Sequence, residues 1–136
     1  MPNAIVNPYP IEFVDEGDRI VLKIEEWDAV RVIHLSGGAG PQSATPSRQG
    51  YSVGRWEGRT LVVETSRVNA PFLDGSGTPQ SEDVEMVERF SLSQDESRLD
   101  YETVITDPQN LVEPAVWEGA RVWVPGVDVK PFECTL

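Results

Sequence analysis

Residues 51–65, with the sequence YSVGRWEGRTLVVET, decide the fold. The segments 51–56 and 60–65 are rich in β-branched and aromatic residues, which are typical of strands. Between them lies Glu57-Gly58, and Gly58 can take the positive φ angle that a tight turn needs. The stretch therefore predicts two antiparallel strands joined by a short turn, which is the clearest β-hairpin in the chain.

The same signals recur on both sides of this hairpin. In residues 19–25 the apolar residues alternate with polar ones and place Ile20, Leu22 and Ile24 on one face. Trp27-Asp28 is predicted to form a turn, so a strand over residues 30–35 completes a second hairpin. Residues 1–16 are expected to form an extended lead-in, and residues 81–83 a short helical turn. Further strands are predicted over residues 84–92, 98–106, 116–124, with Gly119 as a bend or bulge, and 130–136.

About eight strands joined mainly by hairpins predict an all-β, antiparallel barrel, with a two-layer β-sandwich as the alternative. The chain has 136 residues, which fits a single domain over residues 1–136. Residues 36–50 form a long loop rich in Gly, Ser and Pro, and loops of this length are often functional or mobile. A barrel of eight strands can hold side chains or one small ligand.

The composition excludes several classes of partner. A formal net charge of −12 disfavours nucleic acid and anionic membrane surfaces. No apolar run approaches the roughly 18 residues of a spanning helix, so no membrane insertion is expected. The single Cys134 excludes an internal disulfide. The first ten residues lack the features of a secretory signal, so a cytoplasmic location is expected by default, or a periplasmic one if a leader was removed.

The central hairpin and its flanks resemble a known family. Residues 50–65 are similar to the signature G-x-S-x-G-R-W-E-G-D-T-L-V-V-(D/E)-T of a widespread family of small bacterial β proteins. Three further pieces match in order, namely residues 31–35 (RVIHL), Ser81 followed by residues 87–90 (VERF), and residues 99–108, which end in Asp107-Pro108. The resemblance covers about residues 18–108 and implies a calycin-like, lipocalin-like barrel, without an established reaction.

Six side chains are candidates for a ligand-binding site. His34 is the only histidine, and alternation places it on the face of Val30 and Val32, which we expect to line the barrel interior. Charged residues within a barrel must be paired, so inward-facing glutamates near an arginine would form a polar anchor. Aromatic rings either fill the core or line a ligand cup. The predicted ligand-binding set is Arg31, His34, Glu64, Glu88, Tyr101 and Trp123.

Other motifs carry less weight. Gly50-x-Ser52-x-Gly54 has the spacing of a nucleophile elbow, but a strand and hairpin follow it where a helix is required, so a serine hydrolase is rejected. No histidine pair or Cys-x-x-Cys motif predicts a metal site, and the acidic residues around Gly17 lack a calcium-loop pattern. No cofactor is predicted, and no catalytic residue is assigned.

Three functions follow from these patterns. The first is a binding module that holds a small apolar or amphipathic molecule in the barrel, with Arg31, His34 or Glu64 fixing its polar end. The second is a small cofactor-free enzyme, a lyase, isomerase or hydrolase, that uses His34 with Glu64 or Glu88 for acid–base work. The third is a structural or interaction protein that uses an exposed sheet edge or face, for instance as a homodimer.

Overall fold

The computed structural model describes residues 5–134 and is an all-β protein, as the sequence predicts. One strongly curled sheet contains eight strands in the order in which they follow along the chain. Because there is one sheet, the two-layer sandwich alternative is wrong. The strands are β1 (Ile11–Asp15), β2 (Arg19–Ile24), β3 (Ala29–His34), β4 (Tyr51–Glu57), β5 (Thr60–Ser66), β6 (Glu85–Leu92), β7 (Arg98–Thr106) and β8 (Ala115–Val122).

The three predicted hairpins, β2–β3, β4–β5 and β6–β7, are confirmed as antiparallel pairs. In the central hairpin Val53 faces Glu64 and Glu57 faces Thr60. Gly58 has φ 61°, the conformation assigned to it from the sequence. The turn between β2 and β3 places both Trp27 and Asp28 in the left-handed region, with φ values of 60° and 49°.

One pairing differs from the antiparallel prediction. β3 and β4 are parallel, with Ile33 opposite Ser52 and His34 opposite Val53. A parallel pair requires a crossover of a dozen residues or more, and the long loop between these strands provides it. The loop is held by Ser47, whose amide donates to the Arg67 carbonyl at 3.1 Å and whose carbonyl accepts from Asn69 at 2.8 Å. The length of this loop is therefore explained by topology.

Four local predictions need correction. The extended lead-in contains a strand, β1, which pairs with β2 from Ile11 to Asp15. No strand forms over residues 130–134, and residues 135–136 lie outside the described chain. Residues 81–83 form a turn and no helix. Gly119 makes no bulge, because β8 pairs with β7 in unbroken register on both sides of it.

The inner face of the sheet encloses two apolar clusters. The larger contains Leu22, Ile33, Leu61, Phe90 and Tyr101 among its members and draws on β2, β3, β5, β6 and β7. The smaller contains Val68, Leu73, Val84, Met86 and Ile105 and lies beneath the segments that flank β6 and β7. Burial of these side chains is the main stabilising contribution to the fold.

The sheet does not close between its first and last strands within the described residues, so it forms a half-barrel. Arg121 on β8 crosses the gap and donates to the main-chain carbonyls of Ile5, Asn7 and Tyr9. Ile5 is fully buried in the larger cluster, so this segment covers part of the opening. After β8 the chain returns to the β2–β3 turn, where the Phe132 amide donates to Asp28 at 2.9 Å.

A helix with the length and apolar character needed to cross a bilayer is absent from residues 5–134.

Candidate functional site

A buried polar layer lies between the two apolar clusters, and we define it as Arg31, Ser52, Thr65 and Glu88. The Arg31 guanidinium donates from Nε to Ser52 Oγ at 2.9 Å and from Nη2 to Thr65 Oγ1 at 2.6 Å. It also pairs with both Glu88 oxygens, with Nη1 at 3.0 Å from Oε1 and Nη2 in contact with Oε2. Ser52 and Thr65 share a further hydrogen bond of 2.8 Å.

The strand register brings these four residues together. Ser52 faces Thr65 across β4 and β5, and Glu88 lies one strand further, opposite Val63. Each comes from the inward-facing positions of its strand, and Arg31 reaches them from β3. Apolar residues precede and follow the layer on the same strands, for example Met86 and Phe90 around Glu88. These four polar side chains therefore separate the two apolar clusters of the interior.

The ion pair is sealed from solvent. The side chains of Arg31 and Glu88 are both 1% exposed. The bidentate geometry and the two hydroxyl groups satisfy charges that would otherwise be costly to bury. Thr103 faces Glu88 from β7, and its buried Oγ1 has no hydrogen-bond partner among the described residues. Because each charge is matched and water is excluded, this arrangement stabilises one packing of the interior and offers no free base or acid.

His34 does not join this layer. Val30 and Val32, which share its face, are 55% and 36% exposed, so the face that we expected to line the interior is the outer one. The His34 ring stacks on Tyr51, with ring centroids 4.7 Å apart. Gly38 of the crossover loop lies against both rings, since a Cβ atom there would be 2.3 Å from Tyr51 Oη. His34 and Glu88 therefore lie on opposite faces of the sheet and cannot act as an acid–base pair.

The remaining predicted ligand residues are dispersed. Glu64 is on the outer face, 57% exposed, and pairs with Arg55 at 2.8 Å. Glu64 lies two strands from His34, with Val53 on the strand between them. Two strand spacings put the backbones of Glu64 and His34 about 10 Å apart. Trp123 follows β8 and is 73% exposed, whereas Tyr101 is buried in the larger apolar cluster. Of the predicted set, only Arg31 and Glu88 come into contact, and the ligand-binding role of the set stays a prediction.

Sequence reasoning missed the hydroxyl partners of this layer. Ser52 and Thr65 are absent from the predicted ligand-binding set, although both occupy inward positions of the central hairpin. The available signal was their place in the strand alternation, since buried hydroxyl groups need partners. The four residues of the layer all lie within the pieces of sequence quoted above for the family resemblance.

A second buried polar contact joins the start of β6 to the end of β7. The Asp107 carboxylate accepts from the Ser81 amide at 2.7 Å, from Ser81 Oγ at 2.6 Å, and from Asn110 Nδ2 at 3.0 Å. Burial alone would raise the pKa of Asp107, but these hydrogen bonds and one from the Gln109 amide outweigh it and hold the pKa below its ordinary value. The contact fixes the connections at this end of the sheet.

The interior leaves little space for a ligand. The two best-defined pockets of the described chain are open surface grooves of about 270 and 340 Å³. The larger crosses the outer face of β6 to β8, lined by Arg89, Asp100, Glu102 and Glu118 among others. No group of three or more His, Cys, Asp or Glu side chains within residues 5–134 is arranged to hold a metal ion.

The free edge of β8 is the remaining candidate surface. The Trp123 amide donates to the Ser97 carbonyl at 2.8 Å, so Ser97 and Trp123 form a hydrogen-bonded pair. This pair is in register with the ladder between β7 and β8, which begins at the next pair, Arg98 and Val122. Hydrogen-bonded and non-hydrogen-bonded pairs alternate in an antiparallel ladder. The amides and carbonyls of the alternate residues Val116, Glu118, Ala120 and Val122 therefore point away from β7. None of them has a backbone partner in the part of the chain that the structure describes.

Comparisons with protein-family models, with curated proteins and with solved structures give no match. The resemblance to the bacterial family stays a prediction. The fold and these surfaces define an all-β half-barrel with a sealed polar layer and an open edge strand.

Proposed function

We propose that this protein is a binding module that accepts an extended segment of another protein chain along the free edge of β8. The observation that carries the proposal is an eight-residue edge strand in regular register, with its outward amides and carbonyls unpaired among the described residues. Addition of a strand to such an edge satisfies these groups and is a common mode of peptide recognition.

The two ends of the sheet differ in how they are protected. Proteins usually block edge strands by making them short, by charges, by proline or by bulges. β1 has only five residues, follows Pro8 and Pro10, and carries Glu12 and Asp15. β8 also carries two charged residues, Glu118 and Arg121, but it has eight residues and no proline or bulge between Ala115 and Val122. This contrast favours β8 as the edge that pairs with a partner.

Exposed apolar side chains accompany the β8 edge. Val116 is 54% exposed, Val122 is 73% exposed and Trp123 is 73% exposed, and Val124 beyond them is 51% exposed. Val116 and Val122 lie on the outer face toward the two ends of β8, and association along this edge would remove them from water. A partner strand would cover these side chains while it pairs with the main chain.

The interior supports the alternatives less well. The predicted small-ligand site requires a cavity in which Arg31, His34 or Glu64 fixes the polar end of the ligand. The Arg31 guanidinium is occupied by Glu88, Ser52 and Thr65, and the side chains of His34 and Glu64 lie on the outer face. The predicted enzyme requires the His34 side chain to contact a glutamate. Glu88 lies on the opposite face of the sheet, and Glu64 lies two strands away from His34, at about 10 Å. Strand addition at β8 needs no rearrangement of the core.

A labelled peptide with the sequence of residues 114–124 (PAVWEGARVWV) tests the proposal as a probe strand. We expect saturable binding, with slower hydrogen exchange at the amides of Val116, Glu118, Ala120 and Val122 and little change at the intervening amides. Ala120→Pro removes an outward amide without removing a bond to β7, so it should weaken binding roughly ten-fold or more. With protein dilute enough to be monomeric, absence of binding, or binding that leaves those four amides unprotected, would overturn the proposal.

A further inference from the structure

We infer that the strand bound at the β8 edge is β8 of a second copy of this chain, so that the protein forms a two-fold symmetric dimer with a continuous sheet. This inference rests on the proposed function and adds the identity of the partner. The support comes from the residue order of β8, which is complementary to itself in one antiparallel register. An interface of this kind presents the same strand on both subunits.

Geometry restricts the register first. The outward-pointing residues of β8 are the alternate positions from Val116 to Val122, and an edge-to-edge ladder must pair these positions with one another. A symmetric pairing of this kind therefore has a two-fold axis at a residue, and never between two residues. The only axes that use most of the strand lie at Glu118, Gly119 or Ala120.

An axis at Gly119 gives the best match of side chains on the outer face. Val116 then lies opposite Val122 of the partner subunit, and Glu118 lies opposite Ala120 of the partner subunit. All four outward residues form hydrogen-bonded pairs, and each pair exchanges two hydrogen bonds. The two apolar pairs at the ends bury side chains that are 54% and 73% exposed in one copy.

The other two axes are less favourable. An axis at Glu118 places this carboxylate directly opposite Glu118 of the partner subunit, and like charges in that position are destabilising. It also pairs Val122 with Pro114 of the partner subunit, which has no amide to donate. An axis at Ala120 places Glu118 opposite Val122 of the partner subunit, so a carboxylate faces an apolar side chain in two pairs. Its one apolar pair, Val116 with Val124 of the partner subunit, needs a residue beyond the end of β8.

The inner face is compatible with the Gly119 axis. There Trp117 lies opposite Arg121 of the partner subunit in a non-hydrogen-bonded pair, in which side chains approach closely. Gly119 itself has no side chain at the axis, where the two strands approach most closely. The N-terminal segment is attached to β8 through the Arg121 side chain, and not through the β8 main chain.

Sedimentation velocity of the full chain over a range of concentrations tests the inference. The net charge of −12 on each copy opposes association, so the measurement is made at about 0.15 M salt, where exposed charges are screened beyond about 8 Å. We expect a reversible monomer–dimer equilibrium. Val122→Lys should raise the dissociation constant at least ten-fold, because it places a charge against an apolar partner.

Val30→Lys is the matched control, since Val30 is 55% exposed on the outer face of β3 and lies away from β8. It should leave the dissociation constant unchanged. In a Cys134→Ser background, a mixture of Glu118→Cys and Ala120→Cys proteins should cross-link with a short bismaleimide more than either protein alone. That pattern identifies the Gly119 axis.

The outcomes separate the two proposals. A protein that stays monomeric at all concentrations but binds the probe peptide with protection of the β8 edge overturns the dimer and leaves the proposed function standing. A monomer that does not bind the peptide overturns both. A dimer that is equally sensitive to Val30→Lys and Val122→Lys, or that cross-links most through Glu118→Cys alone, overturns the β8 register proposed here.

Discussion

The side chains of Arg31 and Glu88, which lie 57 positions apart in the chain, form a bidentate ion pair at the centre of the half-barrel. Ser52 and Thr65 complete the hydrogen bonds of the guanidinium from the central hairpin. The pair connects β3 to β6 across β4 and β5, so it links the two sides of the parallel β3–β4 junction. We interpret this buried pair as a determinant of one arrangement of the strands more than as a source of net stability.

Glu88→Gln should destabilise the protein by about 3–5 kcal/mol, because it leaves the Arg31 charge buried without a counter-charge. The measurement is the free energy of unfolding in urea, followed by far-ultraviolet dichroism. Glu64→Gln is the matched control, since Glu64 also pairs with an arginine but is 57% exposed. The control should change stability by at most about 1 kcal/mol.

The double variant Arg31→Met, Glu88→Met separates an ion-pair effect from a packing effect. Replacing both partners with apolar side chains of similar size is often neutral or stabilising. We expect the double variant to be more stable than Glu88→Gln. If it is less stable than the single variant, the pair contributes net stability, and our interpretation of the layer as a determinant of specificity is wrong.

The alternation of apolar residues was sufficient to predict most of the sheet. Hairpin strands follow from local patterns, since tight turns such as Glu57-Gly58 join neighbours in sequence. The parallel β3–β4 pairing could not be predicted in this way. A long loop can bring the next strand back in either direction, and its sequence does not determine whether the pairing is parallel or antiparallel. β1 was missed since Pro8 and Pro10 precede it and only five residues pair.

The candidate site was only partly predictable for a related reason. Arg31 and Glu88 were identified as charges that must pair if they face inward, and the structure brings them together. The face of His34 was assigned wrongly, because alternation gives the period of a strand but not which side is buried. The free edge of β8 depends on the order of strands in the sheet, which no local pattern determines.

Asp107→Asn should lower stability at neutral pH by about 1–3 kcal/mol, since the amide group would face the amide and hydroxyl donors of Ser81. The pKa of Asp107 is lowered in the folded protein, so its contribution is present above the ordinary unfolded value of about 4. It is lost as the pH falls through the lowered folded value.

Urea unfolding from pH 7 to pH 2 measures this effect. The difference in stability between the wild type and Asp107→Asn should be constant near neutral pH and should shrink below about pH 4. Asp128→Asn is the control, since Asp128 is exposed. A difference that stays constant down to pH 2 would contradict the assignment of the effect to the charged carboxylate.

Gly119→Ala should destabilise the fold by about 1–3 kcal/mol. A Cβ atom at this position would lie 2.4 Å from Tyr101 Oη and 2.5 Å from Tyr101 Cζ, so the buried ring must move. Gly75→Ala is the matched control, because nothing lies within 4 Å of its added Cβ and its φ is not in the left-handed region. Equal melting temperatures for the two variants would show that the Tyr101 ring has free space.

Arg121→Met should loosen the N-terminal segment while the sheet remains intact. The guanidinium donates to three carbonyls of that segment, and the methionine keeps most of the apolar stem but no donor. We expect faster amide hydrogen exchange over residues 5–10. We also expect the free energy of unfolding to fall by about 1–3 kcal/mol, because hydrogen bonds from a charged donor are lost. Arg98→Met is the control, since Arg98 pairs with Asp100 on the exposed surface, 2.9 Å away.

Because Ile5 is fully buried, detachment of this segment would also uncover the larger apolar cluster, so the variant should bind a dye that reports exposed apolar surface. If exchange over residues 5–10 is unchanged, burial of Ile5 alone holds the segment, and Arg121 does not bridge the gap between β8 and the N-terminal segment in an energetically significant way.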